Sequence, residues 1–378
     1  MKSRHFIALT IALVCTVQAE GQNWLSRFYY GWLTKPRNVD STYIYQQSMG
    51  FTPSLTSNFS RQRVQMTSTL MLEEFPVVDD NGDVQSVDVY FSAIDKMEEG
   101  LSQRAGFILG LGRLGAGWSF ELAPDSSQKS STFLFSFRGN KFGLNINYLG
   151  FNQTVLETCE WEPGNAFPTS GNETDTIATD NRVRRLTVDG YYVINTRRFA
   201  YPPGIAGNMV QLRSAGSWML AGRFLQSDLH LNPDYAIARF GMSQFSLGCG
   251  YSYTWVPWSR GPRDETGRGM RTFFINGTLI PMLTVFNYLT SELYDDMGGM
   301  ASKEKQGLLC WPTPNVLANA TVGFSWNKFY LGAQFNYNVF HFNTRNAISR
   351  GGVLHENDIE VMGVLYEWNL GLKFQACF

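Results

Sequence analysis

Two stretches near the end of the chain alternate between unlike side chains, and that pattern excludes most of what a sequence of this length could become. Leu331, Ala333, Phe335, Tyr337 and Val339 are interleaved with Gly332, Gln334, Asn336 and Asn338. After a loop, Trp368, Leu370, Leu372, Phe374, Ala376 and Phe378 are interleaved with Asn369, Gly371, Lys373, Gln375 and Cys377. A period of two sends successive side chains to opposite faces of a β-strand, one apolar and one small or polar. Water-soluble sheets also alternate in this way. Aromatic strand ends, an amide-rich second face and a last residue still in strand register favour a closed barrel with an apolar outer band and a polar lumen, as in an outer membrane.

Composition agrees with strands. Aromatic residues make up 15% of the 378, and 36 residues are glycine. Aromatics suit pleated surfaces, and glycine tolerates bulges and close backbone approach. A formal net charge of -1, with acids and bases interspersed, gives no electrostatic basis for a nucleic-acid partner. Lys2, Arg4 and His5 precede the apolar run from Phe6 to Val14, and Ala19 is a small residue at a cleavage point, so residues 1–19 read as a secretory signal peptide. No later stretch approaches the roughly 18 uninterrupted apolar residues of a membrane helix. Export without a helical stop leaves the periplasm, the exterior or the outer membrane.

The leader takes Cys15 with it, in a poor context for lipoprotein cleavage, and leaves Cys159, Cys249, Cys310 and Cys377. A disulfide between Cys159 and Cys310, both in inter-strand segments, is chemically allowed in an oxidising compartment. Their spacing fits no structural zinc motif.

Residues 20–60 are expected to form a periplasmic N-terminal segment, and residues 61–378 the barrel. Period-two runs place a first strand within Arg61 to Leu72 and others around 105–111, 116–122, 133–138, 144–148, 185–194, 214–225, 244–255, 272–279 and 321–326. With the two C-terminal stretches this gives about twelve antiparallel strands, although ten or fourteen also fit an even-numbered barrel. Very short turns near Arg113, Asn140 and Asn327 follow even-numbered strands. Long segments at 73–101, 151–182, 284–315 and 343–358 follow odd-numbered ones, as expected of long external loops. Two links assigned to the periplasmic side, 195–213 and 257–268, are long for that role. Asp79, Asn81 and Asp83 mimic the start of a calcium loop, but the glycine and closing glutamate are misplaced, so a solvated loop tip is expected.

The stretches Arg113-Leu114-Gly115-Ala116-Gly117-Trp118-Ser119-Phe120, Ser136-Phe137-Arg138-Gly139-Asn140-Lys141-Phe142-Gly143-Leu144, Gly190-Tyr191-Tyr192-Val193-Ile194-Asn195 and Arg198-Phe199-Ala200-Tyr201-Pro202-Pro203 resemble the Bacteroidota family known as domain of unknown function 4421. The resemblance runs from about Tyr43 onward and continues through Ser214-Ala215-Gly216-Ser217. It implies an exported, barrel-like protein and brings no catalytic residues with it.

Few residues invite chemistry. Ser227, Asp228 and His230 have the composition of a hydrolytic triad, but three groups within four positions cannot easily converge. His341 shares the parity of Phe335 and is expected at an external lipid-facing rim. His355, with Glu356 and Asp358, belongs to a solvated loop. Gly110-Leu111-Gly112 and Gly248-Cys249-Gly250 sit within strand alternation, where small residues on a crowded inner wall explain them better than cofactor contact. No cofactor is expected. The lumen-facing polar set comprises Glu121, Arg138, Asn145, Asn147, Arg185, Asp189, Arg223, Gln334, Asn336, Asn338 and Lys373. Such a set can fill a narrow barrel, line a restricted pathway or form a cavity.

Three functions follow. The first is a nonenzymatic outer-membrane scaffold or accessory subunit of an envelope complex, such as one for outer-membrane protein assembly or export. Its partners would be outer-membrane lipid, lipopolysaccharide and other envelope proteins. The second is a small porin, and the third a lipid-modifying barrel enzyme. The first is preferred, because no triad or metal cluster is visible and the surplus chain length lies in loops.

Overall fold

The computed structural model describes residues 38–46, 50–78, 84–98, 102–122, 129–139, 141–163, 174–201, 209–230, 237–263, 267–293, 306–309, 312–343 and 359–378. In chain order the strands are β1 (Ile44–Gln46), β2 (Phe51–Val78), β3 (Val84–Glu98), β4 (Ser102–Leu111), β5 (Leu114–Glu121), β6 (Lys129–Arg138), β7 (Phe142–Pro163) and β8 (Thr174–Val193). They continue as β9 (Met209–Gln211), β10 (Ala215–His230), β11 (Ile237–Arg260), β12 (Arg271–Leu293), β13 (Gln306–Leu309), β14 (Thr313–Trp326), β15 (Phe329–Asn343) and β16 (Ile359–Ala376).

Twelve of these close into one antiparallel ring, in the order β2, β4, β5, β6, β7, β8, β10, β11, β12, β14, β15, β16 and back to β2. The final join pairs the first and last ring strands from Leu70 opposite Ile359 to Ser54 opposite Gln375. It ends with the Phe378 amide donating to the Phe51 carbonyl at 3.0 Å. The ring therefore begins at Phe51, inside the segment 20–60 that the sequence assigns to an N-terminal region.

Alternation along each strand divides the barrel wall into two environments. Leu331, Phe335, Leu370, Leu372 and Phe374 are exposed on the outer face, whereas Tyr330, Phe340 and Gln375 point inward and are buried. Strands β4, β5 and β6 contain 10, 8 and 10 residues, about what a tilted strand needs to cross a hydrocarbon layer. Aromatic rings gather on the outside near the short-turn end. Trp258 stacks on Phe324 at 6.4 Å, Phe324 on Trp326 at 5.5 Å, and Phe374 lies against both Trp326 and Phe329. An apolar ring with a polar edge is best placed at such a lipid boundary.

At the other end the long segments are not plain loops. Strand β2 runs on to Val78 and β7 to Pro163, and β3 pairs with both, from Val84 opposite Val78 and from Phe91 opposite Pro163. Above the ends of β4, β5 and β6, β3 thus joins β2 directly to β7. The expected loops at 73–101 and 151–182 are largely a continuation of the sheet. Residues 79–83, with the calcium-like start, lie outside the described residues.

Close backbone approach explains Gly248 and Gly250 of β11. A Cβ on Gly250 would lie 2.1 Å from the Leu279 carbonyl oxygen and 2.6 Å from Ile280 Cα, whereas one on Gly277 would meet nothing within 4 Å. Backbone cannot yield as a flexible side chain can, and overpacking costs roughly 1–3 kcal/mol or more. Gly250→Val is expected to reduce the folded, heat-modifiable band in a refolding gel, while Gly277→Val leaves it unchanged.

Candidate functional site in the lumen

The inward face is polar, and its hydroxyls and amides are paired across strands. Ser252 and Thr278 meet at 2.7 Å, and the Asn276 amide donates to Ser252 Oγ, Thr254 Oγ1 and the Tyr253 carbonyl. Higher on the same wall Asn315 donates to Ser246 Oγ and Thr284 Oγ1. Buried polar groups need partners of this kind, because unpaired ones carry a desolvation penalty.

A charged bridge crosses the lumen. Arg185 on β8 forms an ion pair with Glu367 on β16. In the ring, β7, β6, β5, β4 and β2 separate these strands on one side, and β10, β11, β12, β14 and β15 on the other. The two side chains therefore meet from opposite walls. Beside them Arg223 pairs with Asp189, its neighbour in the ladder, and donates to Asn338 Oδ1 at 3.0 Å. Asn338 in turn donates to Glu367 Oε2 at 3.3 Å. The Arg223 guanidinium also lies 5.3 Å from the Phe340 ring centroid. Asp189, Arg223, Asn338, Glu367 and Arg185 thus form one connected path between facing walls.

A second closure stands at the short-turn end. The link after β8 turns inward, and Phe199, Ala200 and Tyr201 are buried. Phe199 and Tyr201 pack with Val193, Met219, Ile280 and Met282, and Tyr201 lies edge-on to Tyr191 at 5.0 Å. Asn319 on β14 donates to the Tyr201 hydroxyl at 3.5 Å. Within the long link 195–213, residues Phe199 to Tyr201 thus act as an inward plug.

Strand β9, at the far end of the plug, pairs with β1, and Ile44, Ala200 and Met209 form a small core beneath. Gln211, wholly buried, holds this cap together: its amide nitrogen donates to the carbonyls of Tyr43, Arg198 and Arg213, and its oxygen accepts from the Ala200 amide. The Asp40 carboxylate accepts from the Thr42 hydroxyl and amide, which hold its pKa below the usual value, with a smaller contribution from Arg198 at 3.6 Å.

Between bridge and plug lies a cavity of about 360 Å³. Ten of the eleven residues expected in the lumen line it: Arg138, Asn145, Asn147, Arg185, Asp189, Arg223, Gln334, Asn336, Asn338 and Lys373. Glu121 shares the inward parity of Ser119 but ends β5 beyond the cavity, opposite Arg104 in the ladder. Sequence reasoning missed Arg104 and Glu367, which also line the cavity. Each shares the parity of an inward set, yet each stands just outside the strand limits drawn at Ala105 and Trp368.

The remaining candidates scatter. Ser227 and Asp228 are adjacent on β10, so they project to opposite faces. On β15, the His341 ring meets the Pro314 carbonyl at 2.7 Å. His355 and Cys310 lie outside the described residues, the latter taking the Cys159 pairing with it. Among the described residues Cys249 and Cys377 are not joined in a disulfide, and no group of three His, Cys, Asp or Glu could hold a metal ion.

Removing one partner of a buried ion pair strands the other, at about 3–5 kcal/mol, whereas an apolar replacement of both is often neutral. Glu367→Ala is therefore expected to lower stability in urea titrations by about 3 kcal/mol, and Arg185→Met with Glu367→Met to recover most of it. Equal losses in both would contradict a coupled bridge. Phe199→Ala empties the plug's core and should cost about 3 kcal/mol. It should also open Arg197 and Arg198 to trypsin while the barrel stays folded.

The family described as domain of unknown function DUF4421 matches residues 102–352. No curated protein matches the sequence. Among solved structures, the outer membrane protease OmpT of Escherichia coli is 8% identical, with a TM-score of 0.32 over 85% of this chain and 96% of that one. Outer-membrane expressed OmpT of Vibrio cholerae is 9% identical, with a TM-score of 0.29 over 85% and 98%. The toluene transporter TodX of P. putida is 8% identical, with a TM-score of 0.23 over 87% and 90%.

Proposed function

The chain belongs to the DUF4421 family, and on that premise, together with its crossed lumen, we propose that it is a non-conducting outer-membrane barrel serving as scaffold or accessory subunit of an envelope protein complex. The observation that carries this reading is the Arg185–Glu367 pair between opposite strands, backed by the buried plug residues Phe199 and Tyr201. A diffusion pore needs a continuous polar path, and two independent obstructions interrupt it here.

An outer-membrane setting is supported by the exposed apolar band and by the aromatic cluster from Trp258 to Phe374. The long strands β2, β3, β7 and β8 would then stand outside the cell, and the β1–β9 cap would face the periplasm. Both ends offer shaped protein surface beyond the span. No catalytic role is assigned, and docking through these ends is the activity proposed.

Two measurements test it together. Wild-type protein in planar bilayers is expected to give no steady conductance, and a reproducible open channel would overturn the reading. Extraction in mild detergent is expected to bring a stoichiometric envelope partner that is lost when Val84–Glu98 is replaced by a short linker. Retention of that partner, or none at all, would count against docking through the extended sheet.

A further inference from the structure

Two arginines face each other on the outer wall at the short-turn end. Arg260 ends β11 and stands directly opposite Arg271, the first residue of β12. In the pair next to them, Ser259 and Thr272 bring their hydroxyls together at 3.0 Å, and Thr272 is wholly buried. Successive side chains alternate, so Arg260 and Arg271 point the other way, to the outside, and both are exposed. Directly opposed residues have Cβ atoms about 5 Å apart, and like charges placed so destabilise a ladder. No acid among the described residues pairs with either guanidinium; Asp264 and Glu265, in the same link, lie outside the described residues.

The next turn carries a third exposed cation. Arg271 is also opposite Trp326, the last residue of β14, and Lys328 follows in the turn to β15. Asn327 ties that turn to the start of β12: its amide donates to the Met270 carbonyl at 2.9 Å, and its side-chain oxygen accepts from the Gly269 amide at 2.8 Å. Asn327 takes a φ of 49°, a left-handed conformation that asparagine tolerates better than most residues. On the same outer face Trp258, Phe324 and Trp326 stack into an apolar shelf. A shelf of rings flanked by cations matches the two parts of a phospholipid. Indole rings settle at headgroup depth, and the arginine fork meets phosphate oxygens in pairs. A phosphate between Arg260 and Arg271 also relieves the repulsion across their ladder, and basic residues at a membrane surface favour a lipid of net negative charge over a zwitterion.

We infer that Arg260, Arg271 and Lys328 form a binding site for one anionic phospholipid of the leaflet at the short-turn end, a site that rests on the outer-membrane setting proposed for the barrel. The lipid phosphate lies between the two arginines, and the acyl chains run along Trp258, Phe324 and Trp326.

The purified full chain is inserted into phosphatidylcholine vesicles, with insertion followed by heat-modifiable migration. It is then extracted in mild detergent and mixed with phosphatidylglycerol or phosphatidylcholine for native mass spectrometry. Phosphatidylglycerol is expected to be retained at one molecule per chain, about tenfold more tightly than phosphatidylcholine. Arg260→Gln combined with Arg271→Gln should bring the two lipids to near parity, whereas Lys141→Gln, at an exposed cation between β6 and β7, should leave the preference unchanged. Equal retention of both lipids by wild type, an unchanged preference in the folded double variant, or an equal loss in Lys141→Gln would overturn the site and leave the barrel standing. Displacement of the lipid by soluble glycerol phosphate would overturn it too, because the acyl chains would then contribute nothing. Failure of wild type to enter the vesicles would remove the membrane setting and the site together. The wild-type comparison decides whether or not the variants fold.

Discussion

The whole molecule depends on leaving no strand edge unpaired. A backbone amide or carbonyl without a partner in hydrocarbon costs several kcal/mol, so a sheet that spans a membrane must meet itself. Here that requirement is met by the ladder between β2 and β16, which runs to the last residues of the chain. Closure then dictates the rest: every strand has an outside and an inside, and twelve strands enclose a space that their own side chains must fill or leave to solvent and solute.

How the interior is filled separates this barrel from a plain pore. Along one wall, from β10 to β14, the plug residues Phe199 and Tyr201 pack on Met219, Ile280 and Met282, beside the paired polar side chains Ser252, Asn276 and Thr278. The ion pair between β8 and β16 crosses the lumen beyond them. Because each arginine in the bridge has an acid, and Glu367 also takes the Asn338 amide, the arrangement tolerates little independent change.

Period-two alternation made most of the architecture legible. Strand number, the order of short and long connections, and ten of the cavity-lining residues follow from parity alone, since parity survives whatever the barrel does globally. Three things did not follow. The strand limits fall short of the true ends at Arg104 and Glu367, and the Ser/Thr-rich run before Arg61 hides the start of β2 at Phe51. The segment that forms β3 has a period-two run of its own, Val87, Val89, Phe91 and Ala93 alternating with Asp88, Tyr90 and Ser92, but it adjoins the acidic stretch 79–88 and reads with it as a loop. In the upper part of β7 the apolar parity is interrupted by Gln153 and Glu157. The plug was visible only as surplus length in 195–213, because Arg198-Phe199-Ala200-Tyr201 has no periodicity and its burial is decided by walls far away in sequence.

The small sheet between β1 and β9 has a consequence for how the chain assembles. Residues 44–46 lie ahead of every ring strand, yet their partners at 209–211 follow half of them. That clasp forms a loop within which β2 to β8 are already gathered, and once it is shut the ends of the remaining gap are held near one another. With the clasp shut, the chain still free before the first strand meets the last is about half as long. Each halving of a loop saves only about 0.6 kcal/mol of closure entropy, so the clasp gives the final join a small advantage while fixing where its ends must meet.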